Sequence, residues 1–183
     1  SDDLGRVLSG TANTTTPVFA SLPTDGTDWD ASSVVKITND KNVDHDSMAF
    51  SHDSTLLFSN DYGGVQKNVY TWNVGDLTHD GVGLTLAHTH ISPNTSRIRS
   101  LSSYYIGGQD LVYFGDGGDG GAKVMVYDPA TDSETVLLDS LTGGNVMYVK
   151  LSGVGTAQSY LYVGKEASGP SPSIWVYALA ADG

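Results

Sequence analysis

Two neighbouring stretches, TLLFSND at residues 55–61 and NVYTW at residues 68–72, decide the fold class of this chain. Each is a short run of mostly apolar and aromatic residues, and a Tyr-Gly-Gly segment follows the first. Runs of this length, rich in aromatic and β-branched residues and bounded by turn residues, are typical of β-strands. The two stretches therefore predict a pair of antiparallel strands joined by a turn.

The same plan recurs twice further along the chain. The second copy reads DLVYFGD at residues 110–116 and KVMVYD at 123–128, and the third reads YLYVG at 160–164 and IWVY at 174–177. The aromatic residues that close the second strands, Trp72, Tyr127 and Tyr177, are 55 and 50 residues apart. This period fits a four-stranded antiparallel unit with its turns. Because aromatic residues recur at the repeat period, we expect Trp72, Tyr127 and Trp175 to pack between the units.

Further apolar runs flank each pair and supply the remaining strands. They lie at residues 47–51, 83–91, 97–106, 135–138 and 146–151, with additional candidates at 4–9, 18–22 and 34–38. We find no window of eleven or more residues with convincing helical spacing of apolar residues. The sequence therefore predicts an all-β, β-propeller-like fold of antiparallel four-stranded blades, with about three to four blades in this chain.

The resemblance to known propellers is carried by two motifs. AFSHDSTLLFSN at residues 49–60 is similar to the strand–turn–strand signature of lactonase-type propeller repeats, in which a Ser-Pro-Asp-Gly-type turn joins two inner strands. Here His52 stands at the usual Pro position and Ser54 at the usual Gly position. VYDPAT at residues 126–131 resembles the strand end and turn of many propellers, including kelch-like ones. The resemblance implies the architecture and no single activity, because propellers include lectins, lyases, lactonases, hydrolases and scaffolds.

The domain organisation follows from the repeats. We predict one propeller-like domain or propeller fragment over residues 1–183, with an irregular N-terminal arm at 1–33 and blades at about 34–92, 93–142 and 143–183. Three arrangements remain open: a compact four-bladed closure, a piece of a larger propeller, or a protomer completed by another chain. In the closed arrangement, a strand from the N-terminal arm would pair beside Trp175 as the outer strand of the last blade.

Composition excludes several partner classes. The chain has 9 Lys and Arg against 21 Asp and Glu, which gives a formal net charge of −12. This charge disfavours nucleic acid and anionic membrane surfaces as partners, and no apolar stretch reaches the length of a membrane span. Cysteine is absent, which excludes disulfides, zinc–thiolate sites and thiol catalysis within these residues. The Ser1-Asp2-Asp3 start and the sequons at Asn13 and Asn94 are compatible with a secreted protein, so we expect an extracellular location.

Four histidines are the candidate catalytic residues: His45, His52, His88 and His90. His88 and His90 lie two residues apart on a predicted strand, so their imidazoles project from the same face. Such a pair can bind a transition metal or abstract a proton, and a propeller enzyme could use it so. The alternative is that both lie on a solvated outer strand without a chemical role.

Acidic turns are the candidate metal sites. DGTDWD at residues 25–30 offers Asp25, Asp28 and Asp30, and DGGDGG at residues 116–121 offers Asp116 and Asp119. Calcium prefers such oxygen ligands, so Ca²⁺ is the expected cofactor if there is one. The alternative is ordinary turn chemistry, because Asp carboxylates accept hydrogen bonds from nearby backbone N–H groups.

Aromatic residues near Gly-rich turns are the candidate ligand-binding residues: Trp29, Tyr62, Tyr104 and Tyr105. Exposed Tyr and Trp rings can stack on sugar rings, while their polar ends bind hydroxyls. We therefore favour a secreted binding module for a carbohydrate or a cell-surface polymer. Two alternatives remain: a propeller polysaccharide lyase, lactonase or hydrolase with a His/Asp site, and a self-assembling extracellular subunit that forms a homo-oligomer or is completed by a second chain.

Overall fold

The computed structural model describes residues 6–9, 18–21, 34–41, 45–61, 67–76, 81–118, 122–141, 144–156, 158–166 and 173–179. In this part of the chain, all regular secondary structure is β-strand, which confirms the all-β prediction. The described residues include no helix that could cross a membrane.

The described strands form three sheets. The strands are β1 (Arg6–Ser9), β2 (Val18–Ser21), β3 (Val34–Asn39), β4 (His45–Phe50), β5 (Leu56–Asp61), β6 (Asn68–Val74), β7 (Gly81–Ile91), β8 (Ile98–Ile106), β9 (Gln109–Asp116), β10 (Ala122–Asp128), β11 (Ser133–Leu141), β12 (Val146–Ser152), β13 (Ser159–Lys165) and β14 (Ser173–Leu179). The first sheet has the order β1-β2-β3-β7-β6-β5-β4, the second β11-β10-β9-β8, and the third β12-β13-β14. Each apolar run predicted from the sequence overlaps one of these strands.

The repeats form antiparallel units of consecutive strands. The unit β4–β7 in the first sheet and the unit β8–β11 in the second each have four strands, as the repeat period predicts. Strand β3 joins the first unit from outside, and it pairs with β7 in parallel. The first strands of the three units, β4, β8 and β12, are spatial neighbours in series. The sheets therefore follow one another in the manner of propeller blades.

Apolar side chains fill the space between successive sheets. One cluster, which includes Phe58, Val112 and Tyr127, joins the first sheet to the second. Another, which includes Tyr113 and Val163, joins the second sheet to the third. The packing there is tight, since a side chain at Gly115 would collide with Val146 of the third sheet.

The recurring aromatic residues behave differently in the three units. Trp72 and Tyr127 are fully buried, as expected from their recurrence. Trp175 is 43% exposed, so the expectation that it is packed between units is wrong. The reason is its position on β14, which pairs with β13 alone among the described strands. Tyr177, the third aromatic of the repeat series, packs against the core between the second and third sheets.

The predicted closure of the last blade by the N-terminal arm is also wrong for the described strands. Strand β1 pairs with β2, and β2 pairs with β3 of the first sheet. The strand that carries Trp175 has β13 as its described neighbour. The N-terminal strands therefore extend the first sheet instead of completing the third.

Candidate functional site: a cleft between the first and second sheets

A cleft of about 460 Å³ opens where turns from the first two sheets meet. The turns β4–β5, β8–β9 and β10–β11 reach the same end of the molecule, because strands alternate in direction within each antiparallel unit. The polar lining residues, with tyrosine counted among them, are His52, Thr71, His88, Tyr105, Gln109 and Asp110, and the others are Leu56, Phe58, Ala87, Gly108, Pro129 and Ala130. The volume is within the range of about 300–1,000 Å³ that is usual for small-molecule sites.

One wall of the cleft is an imidazole–carboxylate pair beside a tyrosine. The backbone N–H of His52 donates to Asp110 Oδ1 at 2.9 Å, and His52 Nδ1 lies 3.1 Å from Asp110 Oδ2. The imidazole stacks on the Tyr105 ring with centroids 3.7 Å apart. Tyr105 nevertheless remains 45% exposed. The first and second sheets together thus hold an accessible aromatic ring and a carboxylate in fixed positions.

The turn that carries His52 is stabilised by Asp53. Asp53 Oδ1 accepts hydrogen bonds from Ser51 Oγ, from the Thr55 backbone N–H and from Thr55 Oγ1. These donors, with Ser51 first, lower the pKa of the Asp53 carboxyl to about 2. Ser54 has a φ of 60°, in the left-handed region that favours glycine. Glycine would adopt this conformation without the steric cost that a side chain adds.

A second imidazole–carboxylate pair borders the same cleft. His88 Nε2 lies 3.0 Å from Asp132 Oδ1, and the His88 side chain lines the cleft. Asp132 follows the 129–130 turn with a φ of 51°, a strained conformation for a residue other than glycine. Hydrogen bonding from His88 is the main cause that holds the pKa of Asp132 below its usual value. A strained, ionised residue that faces an imidazole is a common property of functional sites.

A buried network continues from Asp132 between the two sheets. His90 Nδ1 is 3.1 Å from Asp132 Oδ1, and His90 Nε2 is 2.9 Å from Glu134 Oε2. Each ring nitrogen of His90 thus faces a carboxylate oxygen, and His90 links Asp132 of the β10–β11 turn to Glu134 of β11. The His90 ring also stacks on Tyr127 at 4.2 Å, and burial raises the pKa of the Tyr127 hydroxyl. His90 therefore joins the sheets beneath the cleft and does not line it.

His45 lies elsewhere, in a sealed polar network of the first sheet. Its Nδ1 is 2.8 Å from Ser59 Oγ, and its Nε2 is 3.1 Å from Asn39 Nδ2. Because the Asn39 amide nitrogen can only donate, His45 Nε2 accepts and Nδ1 carries the proton. Trp72 Nε1 also donates to Ser59 Oγ, at 2.8 Å. Burial lowers the pKa of His45 to about 4, which keeps the ring neutral and fits a structural role.

The other sequence-predicted site residues are distributed away from the cleft. Tyr104 lies between the second and third sheets, where its hydroxyl accepts a hydrogen bond from the Leu151 backbone N–H at 2.8 Å. Asp116 is buried, and its Oδ1 accepts hydrogen bonds from Thr95 Oγ1 and from the Gly118 backbone N–H. The remaining predicted residues, Trp29, Tyr62, Asp25, Asp28, Asp30 and Asp119, lie outside the described residues.

Metal ligation has no support from the described side chains. Among them, no three or more His, Asp or Glu residues are grouped as ligands of one ion. His88 and His90 do project from one strand face, as predicted, but both approach Asp132. The calcium prediction, which also rests on acidic turns outside the described residues, stays a prediction.

Sequence reasoning missed three carboxylates of this region: Asp110, Asp132 and Glu134. Asp110 is 58 residues from His52 and becomes its neighbour only when the repeats stack. The sequence does carry a signal for Asp132, because VYDPAT predicts a turn and Asp132 follows it directly. Asp is one of the residues that tolerate the positive φ found at this position. Glu134 is one of two Glu residues in a chain whose other acids are all Asp.

Comparison with known proteins supports the fold and leaves the family open. No protein-family model matches the chain, and no curated protein matches it. A crystal structure of a protein from Lactobacillus plantarum, solved as a structural genomics target, is similar with a TM-score of 0.53 and 18% identity. The alignment covers 96% of this chain and 53% of that chain, so this chain spans about half the length of the matched protein. The chain is thus an all-β protein with a propeller-like fold.

Proposed function

We propose that the protein is a binding module whose cleft between the first and second sheets takes a neutral carbohydrate. The observation that carries the proposal is the Tyr105–His52 stack beside Asp110, on a cleft with both polar and apolar lining. A sugar presents apolar C–H faces and hydroxyl edges, which such a mixed surface complements. The net charge of −12 favours a neutral glycan over an anionic one.

Each group of the cleft would make a different contact with the sugar. The exposed Tyr105 ring supplies a stacking surface, and its contact with His52 fixes the orientation of the ring before any ligand arrives. Asp110 supplies carboxylate oxygens that accept hydrogen bonds from hydroxyls, and Gln109 adds an amide at the same edge. Preorganisation of this kind lowers the entropy cost of binding.

A glycan-array screen followed by isothermal titration calorimetry tests the proposal. We expect a neutral glycan to bind, and Tyr105→Ala to weaken its affinity by at least about tenfold because an aromatic stacking contact is lost. Tyr148→Ala is the matched control, because Tyr148 is also an exposed tyrosine but lies on the third sheet. Equal losses in both variants, or no binding of any neutral glycan, would contradict a carbohydrate site in the cleft.

Acid–base catalysis in the same cleft is the second candidate function. It is favoured by the two imidazole–carboxylate pairs, His52–Asp110 and His88–Asp132, and by the strained backbone of Asp132. When His88 donates to Asp132 through Nε2, its Nδ1 is the basic nitrogen. The enzyme classes that the sequence leaves open for such a site are a lactonase, a hydrolase and a polysaccharide lyase.

A pH-stat assay on a panel of lactones and esters tests this second candidate. Hydrolysis should release acid, and both His88→Asn and Asp132→Asn should reduce the rate by at least about a hundredfold, the usual size of a general-base contribution. Asp139→Asn is the control, because Asp139 is an exposed carboxylate of β11 that does not line the cleft. Hydrolysis that survives both cleft variants would exclude these residues as the catalytic pair.

We also propose that the protein acts outside the cell and that Ca²⁺ binds its acidic turns. Support comes from the sequons at Asn13 and Asn94 and from the predominance of Asp among the acids. A thermal shift on adding Ca²⁺, absent with Mg²⁺, would test the second part. An unchanged melting temperature at millimolar Ca²⁺ would count against it.

A further inference from the structure

Thr71 lies at the centre of the row of side chains that the first sheet presents to the cleft. It is on β6, where it pairs with Phe58 of β5 on one side and with His88 of β7 on the other. Residues that face each other across antiparallel strands project from the same face of the sheet, and all three of these side chains line the cleft. The Thr71 side chain therefore belongs to the surface that a ligand in the cleft would contact.

The hydroxyl of Thr71 is buried and lacks a hydrogen bond. Thr71 is 5% exposed, and within the described part of the chain its Oγ1 atom has no hydrogen-bond partner. Burial raises the pKa of the Tyr127 hydroxyl and the nearby Thr71 counteracts this, but the two hydroxyls do not reach hydrogen-bond geometry. Tyr127 instead donates to Asp132 Oδ1 at 3.2 Å. A buried hydroxyl without a partner destabilises a folded protein, because it has given up its hydrogen bonds to water.

Thr71 differs in this respect from other polar groups of the lining. His52 is hydrogen-bonded to Asp110, and His88 is hydrogen-bonded to Asp132. These groups have protein partners before any ligand binds, whereas the hydroxyl of Thr71 does not. Valine has nearly the same shape as threonine and would fill the position without an unpaired polar atom.

An irregularity in the pairing of β6 with β7 lies at the same place. Trp72 pairs with Leu86, but Thr71 pairs with His88, so Ala87 is an extra residue between the two pairs. Ala87 and His88 both line the cleft, although neighbouring residues of a regular strand project from opposite faces. β-Bulges are frequent next to functional sites, where they change the direction of a side chain. The bulge is thus a second feature that points to this part of the cleft as a binding surface.

From these observations we propose that Thr71 is a specificity-determining residue of the cleft and that its hydroxyl binds a free hydroxyl group of the sugar. The inference rests on the carbohydrate site proposed above and adds the ligand group that meets the first sheet. A hydroxyl can donate one hydrogen bond and accept two, so Thr71 Oγ1 fits another hydroxyl and does not fit a methyl group. Sites that bind a hydroxyl discriminate strongly against analogues that lack it, because the buried protein group then stays unpaired.

Titrations followed by NMR of the ligand test the role of Thr71. The probes are the methyl pyranosides of glucose, galactose and mannose and the monodeoxy derivatives of each. For one deoxy position, the wild type should bind the parent sugar at least about tenfold more tightly than the deoxy sugar, whereas Thr71→Val should bind the two within about twofold. Thr71→Ser keeps the hydroxyl and should keep the discrimination. Thr89→Val is the matched control, because Thr89 lies on β7 opposite Tyr70 and does not line the cleft.

Thermal unfolding of the free protein gives a second readout that needs no ligand. Thr71→Val removes an unpaired buried hydroxyl at nearly constant shape, so it should raise the melting temperature by about 2–4 °C. A hydroxyl with a stabilising partner inside the folded protein would give the opposite sign. The expected combination is therefore a more stable variant that has lost its discrimination between sugars.

Each outcome decides for or against the role of Thr71. Discrimination that is lost in Thr71→Val and retained in Thr71→Ser and Thr89→Val, with a raised melting temperature in Thr71→Val, supports it. Unchanged discrimination in Thr71→Val, no discrimination in the wild type, or a lowered melting temperature would overturn it, and binding that still depends on Tyr105 would leave the carbohydrate site in place. A wild type that binds none of the probes would overturn both proposals. If Thr71→Val does not fold, Thr71→Ala takes its place in the titrations.

Discussion

His45 and His52 lie seven residues apart in sequence, yet the structure gives them opposite environments. His45 is 2% exposed and held between Ser59 and Asn39, whereas His52 is at the surface against Asp110 and Tyr105. The inner strand β4 carries the first, and the turn after that strand carries the second. The comparison teaches that a shift of a few residues, from a strand into the turn that follows it, decides whether a histidine is buried in the core or exposed at a site.

The largest expected difference between the two histidines is in the free energy of unfolding when each is replaced by alanine. His45→Ala removes a buried ring, leaves Asn39 and Ser59 without its nitrogens, and should lower the free energy of unfolding by about 4 kcal/mol. His52→Ala, at an exposed site, should cost less than about 1 kcal/mol. Urea denaturation monitored by tryptophan fluorescence measures both values. Similar losses for the two variants would show that the burial difference has no energetic consequence.

The next largest effect is the dependence of stability on pH that arises from the burial of His45. Burial lowers the pKa of His45 from its ordinary value of 6.5 to about 4 in the folded protein. Between these values the unfolded chain binds a proton that the folded chain does not, so stability rises with pH. The contribution is fully present above pH 6.5, is lost as the pH falls towards 4, and amounts to about 3 kcal/mol.

The measurement is the difference in unfolding free energy between the wild type and His45→Gln across this pH range. Glutamine does not titrate, so the difference should change between pH 6.5 and 4 and should be constant above pH 7. A difference that is flat through the whole range would contradict a neutral, buried His45. The same pH series with His52→Gln measures the contribution of the exposed His52 ring to the unfolding free energy.

The smallest effects concern the two residues with positive φ that border the cleft. Ser54→Gly should stabilise the protein by about 0.5–1 kcal/mol, because glycine adopts that conformation without steric cost. Asp132→Gly relieves the same strain but loses the acceptor of His88, His90 and Tyr127, so it should destabilise by about 1 kcal/mol. Thermal unfolding compares the pair, and stabilisation by both variants would show that the Asp132 contacts contribute nothing to folding.

The positions of the strands could be predicted from the sequence because the same strand–turn–strand pattern recurs in three units. Apolar runs and turn residues at a regular period placed the strands of the three units, and the recurrence of Trp72 and Tyr127 indicated their burial. The parallel pairing of β3 with β7 could not be predicted from the sequence, because no local residue pattern distinguishes a parallel neighbour from an antiparallel one. The exposure of Trp175 was missed for a related reason: burial depends on what packs next to the sheet.

The candidate site was predictable only in its separate parts. His52, His88 and Tyr105 could be named from residue type and position, and the structure brings all three to one cleft. Their partners Asp110 and Asp132 are 58 and 44 residues away in sequence, so the pairs exist only through the stacking of one sheet on the next. Tyr104, adjacent to Tyr105, projects from the opposite face of β8 and joins the third sheet instead.

The parallel attachment of β3 to β7 has a consequence for the order of folding. The second sheet is built from strands that are consecutive in the chain, so each of its pairings closes a short loop. Strand β3 can find its partner only after the chain has passed through β4, β5 and β6, and this longer loop costs more entropy to close. We therefore expect β8–β11 to form early and the N-terminal strands to dock late, with amides of β3 that exchange with solvent faster than those of β9.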